Sequence, residues 1–333
     1  MPSDRKPVAI RVAALVDGKV REWTGEAALA ALGRRGPADP TAKNAAVWVD
    51  LTDPEPHLVE RVAGLLGLHP LIAEDILEGN QRGKIEATDG VIHLVLFVLG
   101  ASPGRTADEV DIVLGRGFLV SSHPAGWDPR NGAPARAGLE PLLRAGCDHL
   151  LWALFDEIVD SYFPFADRLE EVVDRLQNQV VDRPDRQTLE ELFALKRELI
   201  AVRRAVSPVR EILNQLTNRD LALIDAEELV YFRDIYDHVI RLTDELDTDR
   251  ELVAATVEIY LSTINNNLST IMKRLTGVTV ILAGAGAIAG VFGMSEAGLA
   301  FSGSEAGGFW LVAAGVVAIT VAAAAILRRI DWI

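Results

Sequence analysis

A stripe of small and polar side chains runs along one face of a long helical segment near the C-terminal end of the sequence. Alternating steps of four and three residues keep to one face of a helix, and the stripe follows such steps from its first residue. It consists of Glu258, Ser262, Asn265, Ser269, Met272, Thr276, Thr279, Ala283, Gly286 and Gly290. Because polar groups are costly within a membrane, we expect this stripe to face protein or water rather than lipid.

Two uncharged apolar runs lie in the same part of the chain, at residues 276–294 and 309–327, with 19 residues in each. A helix rises about 1.5 Å per residue and needs roughly 20 residues to cross a hydrocarbon core of about 30 Å. The sequence therefore predicts two transmembrane helices.

The charges that flank these runs predict their orientation. Lys273 and Arg274 precede the first run, and Arg328 and Arg329 follow the second, whereas residues 295–308 contain no lysine or arginine. Basic flanks remain on the cytoplasmic side of a membrane. We therefore expect a multi-pass protein of the cytoplasmic (inner) membrane, with both chain termini in the cytoplasm and the lipid bilayer as a partner.

Two transmembrane helices in one chain cannot enclose a hydrophilic path, so a transport function would require several copies of the chain. A parallel ring of the first helices would line a central pore with the stripe. Met272 and nearby Leu275 would then form apolar constrictions at the cytoplasmic end of that pore. Close packing of small residues between two helices is the alternative that the spacing leaves open.

The overall composition favours cations as partners. The 333 residues carry a formal net charge of -15, which argues against a nucleic-acid partner because phosphate binding needs a concentrated basic surface. A single cysteine, Cys147, excludes an intramolecular disulfide framework. The six histidines have no metal-ligand spacing, so we expect surface or structural roles for them. No catalytic motif stands out, and we predict no enzyme and no cofactor beyond divalent cations.

The part of the chain before the membrane runs divides in two. Short β-like runs at residues 45–51, 91–99 and 111–123, with a helical stretch at 56–78, predict an α/β domain over residues 1–130. Residues 127–138 look like a linker. Helical patterns at 139–179 and 185–216 then predict a helical hairpin within residues 131–222.

The next segment predicts one very long stalk helix. A helical pattern begins near Asp225 and meets no proline or glycine before Gly277. The predicted fold class is an α+β cytoplasmic domain, with an α/β N-terminal sheet and a helical hairpin, joined to the stalk helix and two C-terminal transmembrane helices. After the hairpin, the segments are the stalk and first transmembrane helix (223–294), an outer loop (295–308), the second transmembrane helix (309–327) and a basic cytoplasmic tail (328–333).

Several stretches together resemble one known family. They are YFRDIYDHVIRLTDEL (231–246), EIYLSTINNNLSTIMKRLT (258–276), AGVFGMS (289–295) and the segment 48–86 with its His-Pro-Leu and Glu-Asp-Ile-Leu runs. These stretches are similar to the CorA family of magnesium and cobalt transporters, within the CorA/ZntB superfamily. The resemblance implies a funnel-shaped homopentamer with a central pore from the first transmembrane helix and an outer ring from the second.

The resemblance also implies the outer pore mouth. Gly293 and Met294 fall on the family's Gly-Met-Asn signature, but Ser295 stands in place of the asparagine, and Glu296 follows it. A second pore asparagine of the family maps onto Ser269. Magnesium releases its inner water reluctantly, so a pore for the hydrated ion must offer acceptors to water hydrogens. A serine hydroxyl can accept but is shorter than an amide, and we expect weaker selection for hydrated magnesium.

A regulatory site is implied between adjacent subunits. In the family, divalent ions held there by aspartates keep the pore shut, and these aspartates map onto Asp75 and Asp234. Glu74 and Asp237 are neighbours that would tune the site. Carboxylates from two subunits repel each other unless a divalent ion neutralises them, so loss of the ion would let the subunits separate.

The expected function is influx of a divalent cation, Mg2+ with Co2+ and Ni2+, through a pentameric channel. Membrane potential would drive the flux, and intracellular divalent cation would close the pore. Two alternatives stay open at this point: a zinc transporter like the ZntB branch of the superfamily, and a non-conducting sensor that retains the fold.

Overall fold

The computed structural model describes residues 9–35, 46–182, 184–218, 221–293, 305–330 and 332. These residues form two compact units. The first unit contains the described residues up to Leu176 together with Glu190–Ala254, and the second contains Gln177–Leu189 and the described residues from Ala255 onward.

The first unit is built on a mixed seven-stranded sheet with the order β2-β1-β3-β7-β6-β5-β4. Strands β3 and β7 are parallel, and the other neighbouring pairs are antiparallel. The strands are β1 (Ile10–Val16), β2 (Lys19–Thr24), β3 (Val47–Thr52), β4 (Lys84–Thr88), β5 (Val91–Leu99), β6 (Ala107–Gly115) and β7 (Phe118–His123).

Three helices pack on this sheet and share a core with it. They are α1 (Glu26–Arg35), α2 (Pro56–Leu66) and α3 (Pro70–Glu78). The core joins Val12 and Val49 of the sheet to Leu29, Val62 and Ile72 of the three helices. The predicted α/β character of this region is therefore confirmed, and residues 91–99 coincide with β5.

Two predicted stretches in this region contain a break. The helical stretch predicted at 56–78 is confirmed and consists of two helices, because Gly67 adopts the left-handed conformation (φ 68°) and ends α2. Residues 111–123 belong to two strands rather than one, since a turn at Gly117 (φ 80°) separates β6 from β7. Both breaks occur at a glycine with positive φ, a conformation that glycine adopts without the steric cost that other residues have.

The helical part that follows contains more breaks than predicted. The residues taken for a linker form a 3-10 turn (Pro129–Asn131) and α4 (Ala133–Ala137). The single helix predicted at 139–179 is instead α5 (Leu139–Ala145), α6 (Cys147–Asp160) and α7 (Phe163–Asp182). Gly146, at φ 140°, separates α5 from α6. The helix predicted at 185–216 is confirmed by α8 (Arg186–Asn218).

The predicted stalk helix is present as α9, 65 residues from Leu229 to Gly293, or about 100 Å at 1.5 Å per residue. It begins four residues later than expected. Within the first unit, one face of α9 is buried through Phe232, Ile235, Val239 and Leu242. Beyond Ala255 its apolar side chains are mostly exposed, with Leu282 66% exposed. Among the described residues, α9 is the helix whose length and composition suffice to cross a membrane.

A last helix, α10 (Glu305–Arg329), covers the second apolar run. Its side chains at Val317, Ile319, Val321 and Ile326 are exposed in the single chain. The structure thus confirms a helix at residues 309–327, and its crossing of the membrane stays a prediction.

Candidate functional site

Helix α3 places Asp75 over one edge of the sheet. His69 caps the helix by accepting a hydrogen bond from the Leu71 backbone N–H at 3.2 Å, and Pro70 occupies the first helical position. The helix buries Ile72 and Ile76, which leaves Asp75 half-buried at the border of the packed face. Glu74, on the adjacent helical position, is exposed.

Strands β4 and β5 supply the residues beneath Asp75. Their register sets Glu86 directly opposite His93, and Lys84 lies two residues away on the same face of the sheet. Lys84 Nζ is 2.7 Å from Asp75 Oδ2 and 3.2 Å from Glu86 Oε1. One potential ligand atom each from Asp75, Glu86 and His93 lie within 4.8 Å of one another.

A buried acidic layer lies behind this cluster on β6. His93 Nε2 is 2.8 Å from Asp111 Oδ1, and both side chains are almost fully buried. Burial raises the pKa of Asp111, although the hydrogen bond from His93 opposes the change. Burial and then the charge of Asp111 raise the pKa of Glu109 to about 7, against the opposing hydrogen bond from the Gln81 backbone. This edge of the sheet thus holds four carboxyl groups, and two nitrogen-bearing side chains, Lys84 and His93, lie among them. Carboxylate oxygens are common ligands of divalent cations.

Asp234 belongs to a different acidic cluster. It is exposed on α9, and so is Asp237 one turn further along. Burial raises the pKa of Asp156 on α6 to about 6, and the charges of Asp160 and Asp234 contribute to this change. Among the described residues, the group of three potential metal ligands includes Asp75 and not Asp234. One chain therefore does not unite the two predicted regulatory aspartates.

The predicted stripe lies on α9, and its positions are all exposed in the single chain. Among the described residues, no other atom comes within 4 Å of the place where a Cβ at Gly286 or Gly290 would lie. These glycines therefore make no close packing contact within the described chain. Gly293 ends α9, and the predicted pore-mouth residues Met294, Ser295 and Glu296 lie outside the described residues.

Sequence reasoning missed a buried polar network between β3 and β7. His123 Nε2 is 3.1 Å from Asp50 Oδ1, and Ser121 Oγ donates to the same oxygen at 2.7 Å. Arg130 reaches Asp50 Oδ2 at 3.5 Å and stacks 4.6 Å from the ring centroid of Trp48. The Ser121 hydroxyl donates to Asp50 and not to His123, so the imidazole does not activate it as a nucleophile. The network joins β3 to β7 by hydrogen bonds, and its geometry is not that of a catalytic triad.

The exposed apolar end of α9 and the acidic edge of the sheet are features expected of an integral membrane protein that handles cations. The chain belongs to the family described as CorA-like Mg2+ transporter protein, whose sequence profile matches residues 43–329.

Individual relatives agree with this assignment. The cobalt/magnesium transport protein CorA of Thermotoga maritima is 32% identical over 256 residues, which cover 74% of this chain and 72% of that protein. The cobalt/magnesium transport protein CorA of Methanocaldococcus jannaschii is 25% identical over 296 residues, or 86% of this chain and 91% of that protein. The complete structure of the CorA magnesium transporter from M. jannaschii has a TM-score of 0.75 at 23% identity, covering 99% of this chain and 100% of that one.

Proposed function

We propose that the chain forms a homopentameric channel through which membrane potential drives divalent cations, chiefly Mg2+ with Co2+ and Ni2+, into the cytoplasm. The observation that carries this proposal is the exposed stripe of small and polar residues on α9. The stripe runs along the last part of this single helix and extends into its uncharged apolar segment. The names of the two CorA relatives support the ion class, because both are cobalt/magnesium transport proteins.

The exposed surface of the second unit supports an oligomer in a bilayer. Val280, Leu282 and Val291 of α9 are each more than half exposed in the single chain. A soluble monomer rarely exposes a contiguous apolar surface of this extent. Lipid would cover the apolar faces, whereas the stripe from Ser262 to Gly290 would face its copies around a water-filled axis.

Hydrated ions are the species that this stripe suits. Its cytoplasmic half carries hydroxyl and amide groups at Ser262, Asn265 and Ser269, which accept hydrogen bonds from the waters of a hydrated cation. Thr279 donates its hydroxyl to the Leu275 carbonyl at 2.8 Å, and its oxygen retains a lone pair for water. At the outer mouth we assign Gly293, Met294, Ser295 and Glu296 the role of the family signature.

Closure of the channel would use the acidic clusters of the first unit. Asp75 of one copy and Asp234 of the next would share a divalent ion, and Glu74 and Asp237 would adjust its affinity. Asp75 and Asp234 lie in separate acidic clusters of one chain, so a site that uses both would need a second copy. Without the ion, Asp75 retains the Lys84 ammonium as its counter-ion, and the other carboxylates, Glu74, Asp234 and Asp237, would repel one another and separate the subunits.

Flux into proteoliposomes tests the proposal. The purified oligomer is reconstituted, an inside-negative potential is imposed, and entry of Mg2+, Co2+, Ni2+ and Zn2+ is followed separately. We expect potential-driven Mg2+ entry. Entry of Zn2+ alone would instead support a ZntB-like transporter, which the family assignment does not favour, and entry of no ion would support a non-conducting sensor.

Two neighbouring substitutions give a matched control. Thr279→Leu places a bulky apolar side chain in the stripe, and we expect it to reduce Mg2+ entry by roughly tenfold or more, because an apolar constriction excludes water. Val280→Leu changes a side chain outside the stripe and should leave entry near wild type. Equal effects of the two substitutions would contradict a pore lined by the stripe.

A further inference from the structure

One nitrogen of a buried histidine in the first unit is not hydrogen-bonded to any described residue. His93 is 1% exposed, and its Nδ1 atom has no hydrogen-bond partner within the part of the chain that the structure describes. A buried polar atom without a partner is costly, so such an atom calls for a physical explanation. Asp75 Oδ2 lies 4.0 Å from this nitrogen.

The other ring nitrogen contacts an acid. Nε2 lies 2.8 Å from Asp111 Oδ1, and it donates to Asp111 when that group is an ionised carboxylate, which can only accept. In the neutral imidazole with that tautomer, Nδ1 holds the lone pair, 4.0 Å from Asp75 Oδ2. A carboxylate that holds the far nitrogen of a histidine is the usual support for a histidine that binds a metal.

The Lys84 ammonium is a cation that already lies between the two carboxylates. It lies 2.7 Å from Asp75 and 3.2 Å from Glu86, and the same Asp75 oxygen is 4.0 Å from His93 Nδ1. The Lys84 side chain is 25% exposed, so it has a route into solvent. Its departure would leave two carboxylate oxygens and one imidazole nitrogen around an empty space.

We propose that Asp75, Glu86 and His93 form a binding site within one chain for a transition-metal dication such as Co2+, Ni2+ or Zn2+, which enters by displacing the Lys84 ammonium. Asp111 orients the imidazole. The site differs from the one proposed between copies, because its three ligands come from α3, β4 and β5 of the same chain.

The ligand set selects against magnesium. Mg2+ prefers oxygen ligands and retains its waters, whereas imidazole suits Co2+, Ni2+ and Zn2+. Ligand atoms at about 2.1 Å from a tetrahedral metal are about 3.4 Å apart. The atoms here lie within 4.8 Å, so binding requires a contraction of roughly an ångström. Glu86, whose side chain is 53% exposed, has the freedom to supply most of that movement.

Titration of the full-length protein in detergent with Co2+ tests the site, because visible absorption reports directly on cobalt coordination. We expect a Co2+ band that saturates at one ion per chain and persists in excess Mg2+. His93→Gln should abolish the band. Glu86→Gln, at a partly exposed edge position that should tolerate the change, should weaken Co2+ binding severalfold. Lys84→Met should strengthen it severalfold, because the competing ammonium is gone.

Control variants separate this site from other sources of a cobalt signal. His57→Gln removes an exposed histidine and should leave the band unchanged. Asp234→Ala removes the proposed site between copies and should also leave the band unchanged, so failure of the channel proposal remains distinguishable from failure of this one. A band that survives both His93→Gln and Glu86→Gln, or that equimolar Mg2+ removes, would overturn the proposal.

Discussion

His123 Nε2 lies 3.1 Å from Asp50 Oδ1 in the interior of the sheet, where neither side chain is more than 1% exposed. His123 Nδ1 also lies 3.0 Å from the Pro124 carbonyl oxygen, which can only accept. Both ring nitrogens therefore donate, and His123 is an imidazolium. Burial alone would lower its pKa, but the hydrogen bond and charge of Asp50 raise the pKa overall.

The first prediction concerns this buried pair. His123→Gln leaves the Asp50 charge with Ser121 and a more distant Arg130, and we expect a loss of about 3–5 kcal/mol in the free energy of unfolding. Thermal unfolding of the full-length protein in detergent measures the change. The exposed His57→Gln variant should unfold like wild type, and an unchanged melting temperature for His123→Gln would contradict the assignment.

The same pair predicts a pH window. The raised pKa of His123 gives stability that is fully present below about 6.5, the usual histidine value, and is lost as pH rises through the folded-state value. Burial alone would raise the pKa of Asp50, but His123, Ser121 and Arg130 lower it overall. The contribution of Asp50 to the free energy of unfolding is therefore present above about pH 3.9 and is lost at lower pH. The difference between wild type and His123→Gln should be largest between these limits and should narrow toward alkaline pH.

The second prediction concerns Glu109, whose pKa is raised to about 7. The folded state then holds a proton that the unfolded state has released, so stability falls as pH rises from about 4.3 to 7. Glu109→Gln removes the charge and keeps an acceptor for the Gln81 backbone N–H. We expect it to stabilise the protein by about 1–2 kcal/mol at pH 8 and to have little effect at pH 4.

Melting temperatures at the two pH values measure this effect. Glu60→Gln, at an exposed position on α2, is the matched control and should change neither value. A Glu109→Gln variant that is no more stable than wild type at pH 8 would contradict the prediction, because it would show that ionisation of Glu109 does not lower the free energy of unfolding.

The third prediction concerns the outer mouth of the proposed pore. Ser295→Asn supplies the longer amide of the family signature, which brings an acceptor closer to the hydrated ion. We expect the ratio of Mg2+ to Co2+ entry into proteoliposomes to increase severalfold. Ser302→Asn makes the same chemical change in the same outer loop and should not alter the ratio. An unchanged ratio for Ser295→Asn would argue against a direct role for this position in selection.

The fourth prediction concerns regulation. The double variant Asp75→Ala, Asp234→Ala should make limited proteolysis of the first unit insensitive to Mg2+, because no ion would join adjacent copies. Wild type should be protected by Mg2+, as should a variant with two exposed acids replaced, Glu60→Ala and Glu251→Ala. Protection of the double aspartate variant by Mg2+ would remove this regulatory hypothesis.

The long local patterns were predictable from sequence, and the paired contacts were not. The uninterrupted run from Asp225 predicted α9. The apolar run at 91–99 predicted β5, since the turn residues Asp89-Gly90 and Ser102-Pro103-Gly104 lie on its two sides. The edge strand β4 was not foreseen, because its five residues, none of which is buried, are too few to show a clear alternation. The β1–β2 hairpin was likewise missed.

The candidate metal cluster shows the same limit. Glu86 and His93 are seven residues apart, a spacing that would separate them by about 10 Å along a helix and about 23 Å along a single strand. They become neighbours only through the register of the β4–β5 hairpin, and Asp111 joins them through the next strand pair. Asp75 was identified from the family resemblance alone, and its contact with Lys84 depends on the position of α3 over the sheet edge.

The Lys84 contact gives Asp75 a counter-ion that diffusion cannot remove. A group held on a short flexible tether competes at an effective concentration in the millimolar range, whatever the composition of the solution. Any dissolved cation that approaches Asp75 must therefore outcompete this tethered ammonium rather than fill an uncompensated charge. The side chain thereby sets a concentration threshold, below which the carboxylate stays neutralised by its own chain.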